Sequence, residues 1–465
     1  MSSYLRVLRH GDFRLLFLGQ AASVVGDRVV MVALALYITQ WTGSPTDLGL
    51  VLGAQTLPLV ALLLFGGVWA DRLPRHRIMI ATDVTRAALH ALLAVLILTG
   101  AARIWQLVVI EALFGAAQAF FQPAYSGLLP QTVPESLIQD ARALTESVSN
   151  VAYLVGPALA AALVLGVGAG EAFAFDGATF VLSALLLARV RPRRRGGATE
   201  APAESGSVLG DLRAGWREVR SRAWVWVTIA VFTGAVLCVY AQWYSLAPVI
   251  AREVYGNAAV FGLLEALAGL GAVCGAVVAL RWRPAHPLRV GLLLVLAWPL
   301  QDAVFALGAP LPLVIVCAFA TGFGFSLLMI WWETALAHHI PAHALSRVSA
   351  WDWMGSLALL PVGYLLAGPL AAAFGARTVL GVGSAIGLGL LLLALLPRST
   401  RRLGSAQELP GQVGVAGGGE AQVADVDPLV GVVHQRRGLE QRLVPLREEP
   451  VGHAVGEGVT EPARV

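Results

Sequence analysis

The 465-residue chain has no lysine; all 33 of its Lys+Arg residues are arginine. A phosphate loop of the Gly-x-x-x-x-Gly-Lys kind is therefore excluded, and with it ATP hydrolysis of that type within this chain. Charge of either sign is scarce. Charged residues make up 13% of the chain and hydrophobic ones 57%, whereas soluble domains carry about a quarter charged residues. An ordinary soluble domain is excluded on those grounds. Cysteine is rarer still. Cys238, Cys274 and Cys317 all fall inside apolar runs, with neither a disulfide framework nor a metal spacing. Core packing is their expected role. His338, His339 and His343 cluster without a matching set of acids, so they read as solvated loop residues and no metal site is expected. No nucleophile constellation and no His/Asp metal stripe appears, which argues against an enzyme. The short polar N-terminus and long first apolar run do not fit a cleavable signal peptide.

What the chain does have is long apolar runs. Between two of them lies GGVWADRLPRHR, Gly66 to Arg77, where the sequence crosses abruptly into charge and back. Stretches of about 20 apolar residues span a hydrocarbon core about 30 Å thick, so this segment reads as a short loop between two membrane helices. About twelve spans follow by the same reasoning, near 13–40, 47–70, 77–99, 103–125, 138–165 and 171–189, then 223–249, 257–280, 287–308, 311–335, 347–370 and 376–396. The expected fold is all-α and integral to the membrane, with two six-helix pseudo-symmetric halves, as in many secondary transporters. The expected organisation is an N-terminal half over 1–190, a linker over 191–222, a C-terminal half over 223–397 and a disordered tail over 398–465.

Arginine placement sets the expected orientation. Arg6, Arg9, Arg14, Arg72, Arg75 and Arg77 fall on one side, with eight more in the linker and Arg281, Arg283, Arg289, Arg398, Arg401 and Arg402. The opposite loops carry little beyond Arg103, Arg252 and Arg377. By the positive-inside rule both termini are cytoplasmic in a multi-pass cell-membrane protein. The formal charge of +4 then reports topology, and no nucleic-acid partner is expected. The first part of the linker is rich in Pro, Gly, Ser and Ala and reads as flexible. Its second part spaces Leu212, Trp216 and Val219 as an amphipathic surface helix.

Several stretches resemble a known family. Gly67, Asp71, Arg72, Arg75 and Arg77 resemble the loop 2–3 signature of the major facilitator superfamily, with Pro74 and His76 as departures from it. FFQPAYSGLLPQTVPESLIQDARALTESVSNVAYLVGPALAAAL, FDGATFVLSALLL and LLPVGYLLAGPLAAAFG resemble the third drug:proton antiporter family, the branch of macrolide-efflux and enterobactin-exporter-like proteins. The resemblance covers roughly residues 5 to 400. It implies the major facilitator fold, alternating access between two rocking halves, and no cofactor beyond the proton-motive force. It also implies a cytoplasmic latch at Gly67, Asp71, Arg72 and Arg75. By their place near the cytoplasmic helix ends, Glu146 reads as a gate or structural partner and Glu333 and Asp352 as gate contacts. Gly156 and Pro157 resemble the antiporter motif of drug exporters; Ala160 and Ala161 stand where that motif has glycines. The expected role of the pair is a kinked gating helix or plain packing.

Ionisable groups at bilayer depth are costly and mark function by default. Asp27 lies about 20 Å along the first helix at 1.5 Å per residue, on a face with Gln20, Ser23 and Met31. It is the first candidate for a proton-coupling residue, and a static ion pair is the rival reading. Glu111 is the second candidate, on a polar stripe with Gln118 and Gln122. Asp83 and Arg86 read as a structural pair, Asp176 and Asp302 as partly solvated near helix ends, and Glu265 as ambiguous. Helices 1, 4, 7 and 10 line the cavity in the family. That places Tyr240 and Tyr244, with Trp331 and Trp332, as aromatic cavity wall, while Trp243 reads as an interface-belt residue. Aromatic walls with one or two acids suit a bulky amphipathic or cationic molecule. The expected protein is a monomeric, proton-coupled exporter of a drug, macrolide-like compound or siderophore, with membrane lipid, protons and a small-molecule substrate as its partners. The alternatives are a metabolite or siderophore importer or exchanger of the same fold, an uncoupled facilitator, or a membrane receptor that does not transport.

Overall fold

The computed structural model describes residues 6–191, 208–279, 281–282 and 284–403. Among the described residues there is helix and no strand. The first six long helices are α1 (Gly11–Trp41), α2 (Pro45–Arg72), α3 (Arg75–Leu98), α4 (Ile104–Thr132), α5 (Ile138–Gly166) and α6 (Ala169–Leu187). A linker helix, Val208–Ser221, precedes the second series. That series is α7 (Ala223–Tyr255), α8 (Ala259–Ala279), α9 (Pro287–Ala306), α10 (Leu311–His339), α11 (Ala342–Ala358, then Leu360–Phe374) and α12 (Ala376–Leu393). Within α7, Val236–Tyr240 form a π turn. Eleven helices among the described residues are long and apolar enough to cross a membrane. The remaining member of the series, α5, is 29 residues long and carries Asp140, Arg142 and Glu146 in its first turns.

These helices are apolar nearly all the way round, the composition of a membrane span rather than of a surface helix. One face packs inward and the other carries bare hydrocarbon: Leu92, Leu113 and Val316 are 49%, 52% and 63% exposed. In water such faces would drive aggregation; against lipid tails they are solvated. Turns between helices are short, and Gly256 ends α7 at φ 75°, a left-handed conformation that glycine adopts without penalty.

The core is not uniform along the bundle. At the end remote from the linker, a single hydrophobic cluster joins both halves, running from Val29–Leu36 through Leu48 and Leu52 to Leu246, Ile250, Phe261 and Tyr364. At the linker end there are two separate clusters. One lies within the first half around Phe13, Met79 and Leu128, the other within the second around Trp224, Leu292 and Trp332. The joined end is drawn tight by glycine, because without a hydrophobic force between helices in lipid, close backbone contact has to supply the attraction. A Cβ on Gly49 would stand 2.3 Å from the Tyr364 carbonyl oxygen, and one on Gly368 would stand 2.2 Å from the Thr46 Cα. Arg252 at the end of α7 donates to the Thr39 carbonyl of α1 at 3.0 Å.

The linker helix packs on the protein. Val219 is fully buried, and Trp216 rests on Trp351 of α11 at 5.0 Å between ring centroids. Its amphipathic character is used against α11 as much as against a surface. The side chain of Leu212 and the first part of the linker lie outside the described residues. Arg398–Arg402 form a short further helix with Thr400 buried, and 404–465 lie outside the described residues.

Gly49→Val tests the tight end. Overpacking of this kind costs about 1–3 kcal/mol, so the variant should melt at a lower temperature in detergent than the parent. Gly389→Val, at a glycine with nothing within 4 Å of its would-be Cβ, should melt like the parent.

Candidate functional site

The polar residues of α3 repeat at Asp83, Arg86 and His90, three and four apart, which puts them on one helical face. That face points into the first half, toward α4 and α6. Asp83 and Arg86 form an ion pair, 0% and 2% exposed, in line with the expected structural pair. The Arg86 guanidinium lies 4.3 Å from the Phe121 ring centroid and 4.2 Å from that of Phe180. Aromatic faces attract a desolvated cation and offset part of its burial.

His90, one turn further on, is wholly buried. Its Nδ1 lies 2.5 Å from Asp176 Oδ2 on α6, and its Nε2 lies 3.7 Å from Glu111 Oε1 on α4. The imidazole stacks flat on Phe114 at 4.1 Å and meets Phe173 edge-on at 5.5 Å. Both Glu111 oxygens lack a hydrogen-bond partner among the described residues. Asp176 is 0% exposed, which corrects the expectation that it is partly solvated. It occupies the inward stripe Phe173, Asp176, Phe180 of α6, and helix face rather than depth decides its solvation.

Glycine brings α1 onto this cluster. A Cβ on Gly26 would fall 2.1 Å from Asp176 Oδ1, so α1 presses its backbone against that carboxyl. The next residue, Asp27, is partly exposed, as are Gln20 and Met31. Ser23 departs from the expected stripe: it is 1% exposed, and its hydroxyl bonds the Gln20 carbonyl at 3.3 Å. Gln20 borders a small cleft between α1 and α5 with Phe17, Val24, Thr145, Val148 and Ser149. Gly156 of α5 abuts α1 beside Asp27, its would-be Cβ 2.3 Å from Arg28 Cβ, so the glycine does admit a neighbour at that point. On α4, Gln118 is partly exposed and Gln122 exposed, while Glu111 is 0% exposed. The expected stripe on α4 therefore divides into an open part and a buried acid.

The second half has its own acid. Glu265 of α8 accepts from Trp243 Nε1 at 2.7 Å and Tyr244 Oη at 2.6 Å. Tyr240 lies against Tyr244 at 4.7 Å and Trp298 at 6.4 Å. Trp243 is 3% exposed, which overturns the interface-belt expectation, because its indole N–H serves a partly buried carboxyl inside the second half. Asp302 is also 0% exposed, and neither of its oxygens has a hydrogen-bond partner among the described residues. It shares the inward face of α9 with Trp298 and Phe305, so the expectation of solvation fails there too. Trp331 and Trp332 are 6% and 4% exposed and pack into the second half. Trp332 Nε1 donates to Asp352 Oδ2 at 2.9 Å.

The gate residues are less complete. Arg75 Nη1 donates to the Gly127 carbonyl at the linker end of α4 at 2.9 Å, and Glu333 is exposed. The side chains of Gly67, Asp71, Arg72, Glu146 and Pro157 lie outside the described residues. No group of three or more His, Cys, Asp and Glu among the described residues is arranged to hold a metal ion. His90 is the residue that reading the sequence missed. Its signal was present, since an ionisable side chain in the middle of AALHALL stands at bilayer depth.

Two helical series, one core joining them at a single end, and buried acids inside each half are the arrangement of a membrane transporter. The chain belongs to the Major Facilitator Superfamily, whose family model matches residues 16–356. It is 26% identical over 402 residues to the multidrug efflux pump Tap of Mycolicibacterium fortuitum, covering 83% of this chain and 95% of Tap. It is 25% identical over 248 residues to macrolide efflux protein A of Streptococcus pyogenes, covering 53% of this chain and 60% of that protein. Among solved structures, a bacterial homologue of the human lysosomal transporter Spinster, inward-facing and unoccupied, matches with a TM-score of 0.61 at 17% identity, covering 84% of this chain and 96% of that one. The efflux branch expected from the sequence is where these named relatives fall, and the family is one of transporters rather than enzymes.

Glu265→Leu should destabilise the protein more than Glu265→Gln. Leucine leaves the buried Trp243 N–H and the Tyr244 hydroxyl without an acceptor, about 1–3 kcal/mol for each unsatisfied group, whereas glutamine keeps a carbonyl there. Melting of both purified variants in one detergent, followed by tryptophan fluorescence, checks the order.

Proposed function

We propose that the protein is a proton-coupled exporter of a bulky amphipathic small molecule, a drug, macrolide-like compound or siderophore, working by alternating access. The carrying observation is Asp27. It is a partly exposed carboxyl midway along α1, on a line with Gln20 and Met31, and its helix is pressed by Gly26 against a fully buried acid. A carboxyl at that depth is stable neutral or paired, so it can exchange a proton for a substrate. Protonation of Asp27, with Glu111 behind it, competes with substrate or resets the empty carrier. The proton-motive force is the energy source, with no cofactor and a monomer as the working unit.

In this reading both termini face the cytoplasm of the cell, as the arginine distribution requires. The linker end, with its two separate cores, is the cytoplasmic end and the one that opens. The latch at Gly67, Asp71, Arg72 and Arg75, with Glu146, Glu333 and Asp352 opposite, closes that end in the other state. Gly156 and Pro157 bend α5 where it touches α1. Gln20, Met31, Gln118, Gln122, Tyr240 and Tyr244 contribute to the substrate surface, with Ser23 packed behind it. The relatives named for multidrug and macrolide efflux support the outward direction. Import or exchange, or uncoupled facilitation, are the alternatives of the same fold.

Proteoliposomes with an entrapped pH-sensitive dye, an imposed pH gradient and a panel of macrolides, cationic dyes and siderophores test this. Substrate-triggered proton flux is expected in the parent and lost in Asp27→Asn. Substrate movement with no proton flux in the parent would leave a facilitator, and flux unchanged in Asp27→Asn would move coupling to another acid.

A further inference from the structure

The cluster in the first half has a charge count that its surroundings cannot support. Asp83, Glu111 and Asp176 are three carboxyls, each 0% exposed, and Arg86 is the one guanidinium among them at 2% exposed. With all three acids ionised and His90 neutral, three negative charges against one positive leave two in excess. Asp27 of α1 interacts electrostatically with Asp176, Arg86 and His90 and also with its neighbour Arg28, so the two α1 residues add one charge of each sign and leave the balance unchanged. Phe114, Phe173 and Phe180 close the other sides of the imidazole. The three carboxyls and the imidazole are each 0% exposed, and uncompensated charge at bilayer depth is expensive.

Protons are the remaining counter-charge, and the geometry has places for them. The contact between His90 Nδ1 and Asp176 Oδ2 at 2.5 Å holds one proton, which is the neutral imidazole's own N–H, so a counter-charge proton goes to the other side of the ring or to a carboxyl. Ring Nε2 and the Glu111 oxygens have no hydrogen-bond partner among the described residues and stand 3.7 Å apart. A buried acid and a ring nitrogen facing each other without a bond form a vacancy that a proton on either one turns toward a hydrogen bond.

We propose that His90, Asp176 and Glu111, drawn from α3, α6 and α4, form a buried proton store in the first half. It is separate from Asp27 in that none of its members faces open space. Asp176 is its outlet, because the Gly26 backbone is all that stands between that carboxyl and the turn of α1 bearing Asp27. His90 serves as the shared carrier, accepting from one acid at one ring nitrogen and giving to the other at the second. No bond other than N–H or O–H forms or breaks, and each proton leaving the store is replaced from solvent through Asp27. For the link to transport this rests on the proton-coupled reading above; the occupancy of the store does not.

The infrared absorption of purified full-length protein in lipid at neutral pH tests it. A protonated carboxyl has a C=O stretch that a carboxylate lacks. The parent should show that band, Glu111→Gln should lose a component of it, and His90→Gln should shift the same component, because the neighbour of Glu111 has changed. Asp83→Asn should leave it in place, since Asp83 pairs with Arg86. Each variant is read only after eluting as a single species with the parent's melting curve; where Glu111→Gln fails that check, the shift in His90→Gln carries the test. A band absent in the parent, or unmoved by both Glu111→Gln and His90→Gln, overturns the store. A band present in protein that moves substrate without proton flux keeps the store and removes the antiport reading. Proton flux without the band does the reverse.

Discussion

An ionised side chain inside a bilayer must find an opposite charge or a proton, and this constraint organises the first half of the molecule. The face of α3 bearing Asp83, Arg86 and His90 cannot be turned to lipid. It therefore fixes the rotation of α3 and calls acids inward from α4 and α6. Phenylalanine rings fill the space that water would take in a soluble protein. Gly26 and Gly177 are small enough to let α1 and α3 close on α6. The second half meets the same constraint with a different partner set, placing Glu265 between an indole N–H and a phenol.

Close backbone contact is the other organising force. Glycines on α2 and α11 bring the two halves together at one end, where a single apolar core crosses between them. At the linker end each half is finished on its own. Two self-sufficient cores at one end and a shared one at the other are the contrast on which the proposed rocking of the halves rests. A rocking motion needs only that contrast, with no helix refolded.

The spans were legible in the sequence because apolar length is a one-dimensional property. The first helix was expected at 13–40 and runs Gly11–Trp41; the sixth was expected at 171–189 and runs Ala169–Leu187. Ends marked by proline were less legible. α4 continues through Pro123 and Pro130 to Thr132, past the expected end at 125. The site was legible only in part, since cost at depth picks out Asp27 and Glu111 but not what they face. Depth alone placed Asp176 and Asp302 in partial solvent, and rotation about the helix axis put both inside. His90 escaped a reading built on formal charge because it is neutral in that count, and its importance arises from α4 and α6 converging on it.

The π turn at Val236–Tyr240 bears on how the two halves are related. A π turn carries one residue more than the α-helical turn it replaces, and one extra residue rotates everything beyond it by about 100°. Trp243 and Tyr244 follow the turn, and the phase it sets directs them toward Glu265 of α8. α7 and α1 therefore cannot be laid over one another residue for residue along their whole length. An internal repeat search would have to open a one-residue gap within a continuous helix, where gaps are ordinarily forbidden.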